Sequence, residues 1–192
     1  ITSGLRADWI TVAARTGSKR AAGISLFAVP GDAPGLTRTP LAKMGWWCSD
    51  TAALHFDACR VPADHLIGDE NEGFRMITEN FNGERLLMSA GACAFAETCY
   101  DEALGWARAR QTFGLALVSH QAIRHKLMDM KMRIASTRAW LHALIERQEA
   151  ADTGADWVAE LCLLKNHATQ AMRFSANQVG QTVRGMGVIP PR

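Results

Sequence analysis

The hydrophobic pattern of the chain changes its period once, near Gly68, and this change most limits the possible folds. Before residue 70 the apolar runs are short and end at turn residues, as in GISLFAVP at residues 23–30. In TAALHFDACRVP, residues 51–62, every second side chain is apolar, a pattern typical of a strand buried on one face. After Gly68 apolar residues recur every three or four positions, as in helices with one buried face. The chain is therefore predicted to have the α+β fold class.

The same change in period predicts two domains, residues 1–70 and residues 71–192. The first is expected to be part of an antiparallel β-barrel or sandwich, and the second an antiparallel helical bundle. Loops are predicted near RQTFG at residues 110–114 and near DTGAD at residues 152–156. They separate three long helices, and a fourth is expected to begin near Gly180. The predicted architecture is thus a β domain followed by a bundle of up to four helices.

Two of these helices have a recognisable start and a predicted buried face. Ser119 and Asp156 are expected to be the N-caps of the second and third helices, because their side chains can accept hydrogen bonds from free backbone N–H groups. Helical spacing predicts core-facing stripes formed by Ile123, Leu127, Met130, Ile134, Leu141 and Ile145 in the second helix, and by Leu161, Leu164, Ala168, Ala171 and Ser175 in the third.

Composition and charge exclude several kinds of partner. The net charge is +2 and no run of Lys and Arg forms a basic stripe, so neither nucleic acid nor an anionic membrane surface is expected as a partner. No apolar run approaches the roughly 20 residues that span a bilayer. The five cysteines are odd in number and include no CxxC pair, which predicts free thiols in a reducing compartment. Small molecules and sister subunits remain the expected partners.

General site motifs identify no chemistry. The histidines include no HxxxH pair, so a helical zinc site is not expected, and no metal ligand is assigned. The chain also has neither a P-loop nor a GxSxG motif. Trp46 and Trp47 are compatible with a substrate wall, an exposed hairpin pair or a subunit contact. By itself, Glu84 is best interpreted as a solvated carboxylate near the start of a helix, where the helix dipole favours it.

Six blocks of sequence carry a resemblance that is more informative. In chain order they are ITSGLRADWITVAART, GISLFAVPGDAPGL, LAKMGWWCSDTAALHFDACRVPADHLIGDENEGF, NGERLLMSAG, RARQTFGLALVSHQAIRHKLMDMK and QTVRGMG. Together they cover essentially the whole chain and resemble the acyl-CoA dehydrogenase family, above all its long-chain and isovaleryl-type members. The resemblance implies a middle β domain and a C-terminal four-helix bundle, usually in a homotetramer. The chain is then expected to be a fragment that begins within the β domain and stops within the bundle.

The resemblance gives Glu84 a catalytic role. Long-chain and isovaleryl-type members place the catalytic glutamate in this helix, directly before an arginine, and NGERLLMSAG matches that arrangement. Glu84 is then the base that removes the α proton of an acyl-CoA thioester, while a hydride leaves the β carbon for N5 of FAD and a trans-2-enoyl-CoA is formed. An apolar, water-poor pocket is expected to raise the pKa of such a base.

Other positions take substrate-binding roles from the same resemblance. Asn82, Gly83 and Arg85 flank the base and are expected to line the thioester end of the pocket. Arg75 stands near the acyl group, where close relatives often have an aromatic residue. These roles have a simpler alternative, since Asn82, Gly83 and Arg85 also suit the start of a helix.

FAD-binding roles are implied for residues spread along the chain. Thr2 matches the threonine of the Trp-Ile-Thr motif beside flavin N5. Arg110 matches an arginine that reaches the FAD pyrophosphate of a neighbouring subunit, for which its fork of donors is suited. Phe113 and Gln121 are expected to contact the same FAD. Each residue also has a structural alternative. Thr2 is then an ordinary strand threonine and Arg110 a solvated loop arginine. Phe113 is then a core residue and Gln121 a polar residue in the first helical turn.

The last block departs from the family pattern. The family usually shows Gln-x-x-Gly-Gly-x-Gly, and QTVRGMG keeps Gln181, Gly185 and Gly187 but has Arg184 at the first glycine. Gln181 and Gly185 are expected to bind FAD, because a glycine permits close approach of the backbone. Arg184 either obstructs the cofactor or adds a donor to it.

The resemblance also implies partners and leaves two rival functions open. An electron-transfer flavoprotein is the expected acceptor, in the bacterial cytoplasm or the mitochondrial matrix. A flavin acyl-CoA oxidase would share the fold and the base but pass its electrons to oxygen. A catalytically inactive homologue would serve as an assembly or binding module, and Arg184 keeps that alternative open.

Overall fold

The fold consists of two compact units. The computed structural model describes residues 1–17 and 20–183. Contacts divide the chain into one unit at Ile1–Asn80 and a second that begins at Phe81. The first unit holds small antiparallel sheets, and the second is dominated by long helices. The predicted α+β class, with a β region before a helical bundle, is confirmed.

Seven strands occur in the described residues, five of them before residue 70. In chain order they are β1 (Trp9–Arg15), β2 (Ile24–Pro30), β3 (Leu36–Pro40), β4 (Ala52–Phe56), β5 (Leu66–Ile67), β6 (Gln111–Thr112) and β7 (Leu115–Ala116). β2 lies between β1 and β5 in one sheet, β3 pairs with β4, and β6 pairs with β7, all antiparallel. The strands of the described part of the chain form no closed barrel.

The predicted strands formed where apolar residues alternate, but one strand formed without this signal. In β4, Ala52 is fully buried and Leu54 half-buried, whereas Phe56 is exposed, so the alternation ends before the strand does. The sequence of β3 is LTRTP, which contains no apolar alternation. It is held instead by its ladder to β4 and by Arg38, whose guanidinium donates to the carbonyl oxygens of Leu5 (2.8 Å) and Ala7 (2.9 Å).

Three long helices make up most of the second unit, and the first of them begins eight residues before it. They are α1 (Gly73–Ala109), α2 (Gln121–Glu149) and α3 (Ala155–Val183). Both predicted loops are present, because α1 ends at Ala109 and α2 ends at Glu149. A two-residue turn between β6 and β7 occupies the first of these loops.

The structure corrects three predictions about helix ends. Ser119 is not the N-cap of α2, because it closes a short 3₁₀ turn and His120 takes the N-cap position without a side-chain capping bond. Asp156 lies inside the first turn of α3 and not before it. Gly180 also lies within α3, which continues to Val183, so no fourth helix begins there.

The helices pack through the predicted stripes. Leu161, Leu164, Ala168, Ala171 and Ser175 are all buried, and in α2 the buried set includes Leu127, Met130, Ile134 and Leu141. One core cluster joins the end of α2 to the start of α3 and is formed by Leu141, Leu144, Trp157, Leu161 and Leu164. Within it, the indole N–H of Trp157 donates to the carbonyl oxygen of Leu144 at 2.9 Å.

Burial differs among the five cysteines and along the Met-rich stretch HKLMDMKM, residues 125–132. All five cysteines are free, as predicted. Cys93 is buried and Cys99 half-buried, and burial raises the pKa of the Cys99 thiol. In HKLMDMKM, Leu127 and Met130 face the core, whereas Met128 and Met132 are exposed.

Candidate active site

Glu84 lies on the exposed side of α1, well inside the helix. The helix begins at Gly73, so Glu84 follows about three turns of helix, too far from the N-terminus for its dipole to act. The interpretation of Glu84 as a helix-start carboxylate is therefore wrong. Its side chain is exposed and has no hydrogen bond or ion pair to any described residue. The carboxylate is thus available to a ligand.

The surface around Glu84 is unusually apolar for an exposed helix face. Side chains three or four residues apart lie on the same face of a helix. By this rule Phe81 (47% exposed), Leu87 (73%) and Met88 (51%) lie next to Glu84. Phe95, 53% exposed, lies on the same face about three turns farther along α1. We call this surface the α1 apolar face. It sets a single carboxylate among four large exposed hydrophobic side chains.

The residues flanking Glu84 hold each other in place. The guanidinium Nη1 of Arg85 donates to Asn82 Oδ1 at 3.0 Å, and its Cζ lies 5.8 Å from the ring centroid of Phe81. The carbonyl oxygen of Arg85 accepts a bond from the hydroxyl of buried Ser89 at 2.7 Å. At Gly83 an added Cβ would meet no atom within 4 Å, so this glycine leaves open space beside the carboxylate.

Arg75 forms ion pairs with two nearby glutamates, one just before α1 and one on α1. Its guanidinium bonds to Glu72 at 2.8 Å and to Glu79 at 2.7 Å. These bonds, first that to Glu72 and then that to Glu79, raise the pKa of Arg75. Arg75 and both carboxylates lie in the first unit, and a ligand that binds Arg75 must compete with them.

The hairpin after α1 displays two of the predicted cofactor residues. Arg110 directly follows α1, and its guanidinium has no partner among the described residues. Phe113 and Gly114 form the hairpin tip, both with positive φ, 51° and 76°. Phe113 is 97% exposed, so its interpretation as a core residue is wrong. Arg110 and Phe113 line one cavity of about 520 Å³.

His120 is a contributor to this cavity that the sequence interpretation missed. Its Nε2 lies 2.9 Å from Thr112 Oγ1, and its ring meets that of Phe113 edge-on at 6.3 Å. One sequence feature could have identified it. His120 directly precedes α2, where a residue with a capping side chain is preferred, and histidine is not such a residue. Gln121, the first residue of α2, is exposed and adjoins this cavity without lining it.

Gln181 lies elsewhere, near the end of α3. Its Oε1 accepts a bond from Lys126 Nζ at 2.6 Å, which ties α3 to α2. Its Nε2 donates to Asn177 Oδ1 at 3.5 Å, which leaves one N–H of the amide for a ligand. Lys126 was not identified from the sequence, since the two residues are 55 positions apart.

Thr2 belongs to the first unit, and Gly185 falls outside the described residues. Thr2 is exposed and pairs with Thr51 in an isolated antiparallel bridge. Gly185 and Arg184 lie beyond Val183, the last residue that the structure describes. In the loop between β3 and β4, Trp46 and Trp47 are 70% and 81% exposed.

Neither a metal-binding cluster nor a membrane-spanning helix occurs in residues 1–17 and 20–183. No described group of three or more His, Cys, Asp and Glu side chains is placed to hold a metal ion. None of the helices in the described part is long and apolar enough to cross a membrane.

Comparisons with known proteins agree with one another. Residues 71–191 match the family model for the acyl-CoA dehydrogenase C-terminal domain. The chain is 34% identical over 172 residues to the mitochondrial long-chain specific acyl-CoA dehydrogenase of Rattus norvegicus, covering 84% of this chain and 40% of that protein. It is 37% identical over 142 residues to the cyclohexane-1-carbonyl-CoA dehydrogenase of Geobacter metallireducens, covering 73% and 37%.

A solved structure also superposes on this chain over its full length. A protein from Mycobacterium smegmatis described as an acyl-CoA dehydrogenase superposes with a TM-score of 0.94 at 42% identity, over 100% of this chain and 50% of that one. The chain therefore spans half, or less than half, of the length of these relatives.

Proposed function

This chain belongs to the acyl-CoA dehydrogenase family, and from that membership we propose that it forms part of the active site of an FAD-dependent acyl-CoA dehydrogenase. The observation that carries the proposal is the unpartnered carboxylate of Glu84 on the α1 apolar face. We further propose that residues 1–70 belong to the middle β domain and residues 71–192 to the C-terminal bundle.

Glu84 is proposed to remove the α proton of the acyl-CoA thioester. The apolar side chains of Phe81, Leu87, Met88 and Phe95 suit an acyl chain, and covering this face would exclude water from the carboxylate. Removing water from a carboxylate disfavours its charged form, so the carboxylate accepts a proton more readily. Asn82 and Arg85 keep their mutual bond and thereby fix the polar edge of this face.

The chain also has residues that suit an FAD. The Arg110 guanidinium is unpartnered among the described residues, Phe113 is almost fully exposed, and Gln121 is exposed. A bidentate donor suits a pyrophosphate, and an exposed aromatic ring suits a flat cofactor. Bound FAD supplies a hydride acceptor for the substrate's β carbon. Thr2, Gln181 and Gly185 complete the proposed set of cofactor residues.

Further parts of the proposal concern the complete protein. We propose a homotetramer in which Arg110 and Phe113 reach the FAD of a neighbouring subunit, and an electron-transfer flavoprotein as acceptor. The bacterial cytoplasm and the mitochondrial matrix are the compartments in which that acceptor would be met.

The test compares Glu84→Gln with wild type in the complete protein. Straight-chain and branched acyl-CoAs are added without oxygen, and bleaching of the flavin absorbance is followed. We expect bleaching in wild type and at least a hundredfold slower bleaching in Glu84→Gln, since general-base removal typically costs 10²–10⁴-fold. Glu102→Gln is the matched control, because Glu102 is also exposed on α1.

Each other outcome has a distinct meaning. Equal bleaching in wild type and Glu84→Gln would assign the base to another residue. Fast reoxidation of the reduced protein in air would indicate an oxidase. A protein that retains no FAD would favour an inactive homologue.

A further inference from the structure

We infer that His120 is a positioning residue that holds the β6–β7 hairpin, and with it Phe113 and Arg110, in the orientation that cofactor binding requires. The inference rests on the proposed function. It assigns His120 no contact with the cofactor itself, only the task of fixing the hairpin on the first turn of α2.

The hairpin cannot hold this shape alone. Each strand has only two residues, and even longer isolated hairpins are marginal in water. Its tip also carries an unfavourable residue: positive φ at both turn positions suits Asn-Gly, whereas Phe113 has a bulky side chain. Such a conformation persists only where surrounding contacts maintain it.

His120 supplies those contacts from a rigid base. Its carbonyl oxygen accepts the N–H groups of Ile123 and Arg124, both at 3.1 Å, so its backbone is part of the α2 start. Its ring makes no capping bond and instead reaches back to the hairpin. There Nε2 lies 2.9 Å from Thr112 Oγ1 and 3.4 Å from the Thr112 carbonyl oxygen, and the ring meets Phe113 edge-on.

The other end of the hairpin has a separate attachment. The backbone N–H of Leu117 donates to the carbonyl oxygen of Arg110 at 2.7 Å, closing the hairpin base. Loss of the His120 side chain therefore leaves the base attached and frees the tip. Phe113 would then sample other positions, and cofactor binding would have to restrict them again.

The experiment uses the complete protein stripped of FAD. His120→Leu removes the bond to Thr112, Thr112→Val removes it from the other side, and His120→Gln retains a group able to bond Thr112. His142→Leu is the matched control, since His142 is exposed on the same helix. Two quantities are measured: amide hydrogen exchange at residues 111–116, and the Kd for FAD.

We expect His120→Leu to speed exchange at residues 111–116 at least fivefold, with α3 unchanged, and to raise the Kd for FAD about tenfold. Thr112→Val should raise the Kd less, because the His120 ring keeps its contacts with the Thr112 carbonyl oxygen and with Phe113. The double variant should bind FAD no more weakly than His120→Leu, which already lacks the bond to the Thr112 hydroxyl. His120→Gln should recover part of the affinity, and His142→Leu should resemble wild type.

Two results would overturn the inference. Unchanged exchange at residues 111–116 in His120→Leu would show that His120 does not hold the hairpin. Faster exchange in His120→Leu with an FAD affinity equal to wild type would show that fixing the hairpin does not contribute to cofactor binding. Wild-type protein that binds no FAD would instead overturn the proposed function, and the cofactor part of the inference with it.

Discussion

At the scale of single residues, conformation and exposure at the hairpin tip work against stability. Phe113 has a φ of 51° and is 97% exposed, so it neither fits its backbone region well nor contributes to the core. Backbone strain of this kind is found at functional sites, where it is offset by contacts elsewhere. Both features support the proposal that Phe113 contacts the cofactor.

Phe113→Asn should make the chain more stable and the cofactor site weaker. Asn tolerates positive φ, and Asn-Gly is the preferred pair for this turn, so we expect the free energy of unfolding to rise by about 1 kcal/mol. The Kd for FAD should rise at the same time. Urea denaturation and FAD titration measure the two effects.

Gly114→Ala provides the opposite control. Gly114 has a φ of 76°, and a side chain there is strained, so the free energy of unfolding should fall by about 1 kcal/mol. Lower stability in Phe113→Asn would show that Phe113 is not strained.

At the scale of elements, α3 has one face buried against α2 and another face exposed to solvent. Leu161, Leu164 and Trp157 form one cluster with residues of α2, and all three are nearly inaccessible. Leu163, next in sequence to Leu164, is 58% exposed. Adjacent positions on a helix are about 100° apart, so neighbouring leucines can have very different energetic roles.

Leu164→Ala should destabilise the chain far more than Leu163→Ala. Removing a fully buried leucine costs the transfer free energy and leaves a cavity, in total about 2–5 kcal/mol. The exposed Leu163 should cost about 0.5 kcal/mol or less. Thermal and urea unfolding of the two variants measure the difference. Equal losses would show that the interface between α2 and α3 differs from the one described.

At the scale of the whole molecule, the two units are stabilised in different ways. The second unit depends on layers of apolar side chains between helices. The first depends more on polar side chains that reach distant backbone. Asp50 accepts the N–H of Leu5 at 2.8 Å and pairs with Arg6 at 2.7 Å, across more than 40 positions.

The Asp50 contacts should make the first unit sensitive to acid. The N–H of Leu5, and then Arg6, lower the pKa of Asp50 below the ordinary value of about 3.9. A lowered pKa in the folded state gives stability that is present above pH 4 and is lost as the pH falls through the folded pKa. Wild type should therefore lose more stability than Asp50→Asn between pH 5 and pH 3.

Hydrogen exchange near residues 3–7 at both pH values is the measurement. Asp57→Asn is the control, because Asp57 is exposed and its side chain has no partner among the described residues. Parallel pH profiles for wild type and Asp50→Asn would contradict the prediction.

The sequence by itself determined the change from strands to helices and most of the faces that α2 and α3 bury. The period of apolar residues is a local property, and it predicted the change from β to α, the loops near residues 110–114 and 152–156, and the buried stripe of α3. The six blocks likewise identified the family, because motif order and spacing are written along the chain.

Only the tertiary structure decided which distant groups meet. β3 has no apolar alternation. It forms because it pairs with β4 and because the Arg38 side chain donates to the carbonyl oxygens of Leu5 and Ala7. The bond from Lys126 to Gln181 joins residues 55 positions apart. His120 reaches Thr112 only because the chain reverses between them. Such contacts depend on how elements pack, and residue type in a linear pattern does not specify that packing.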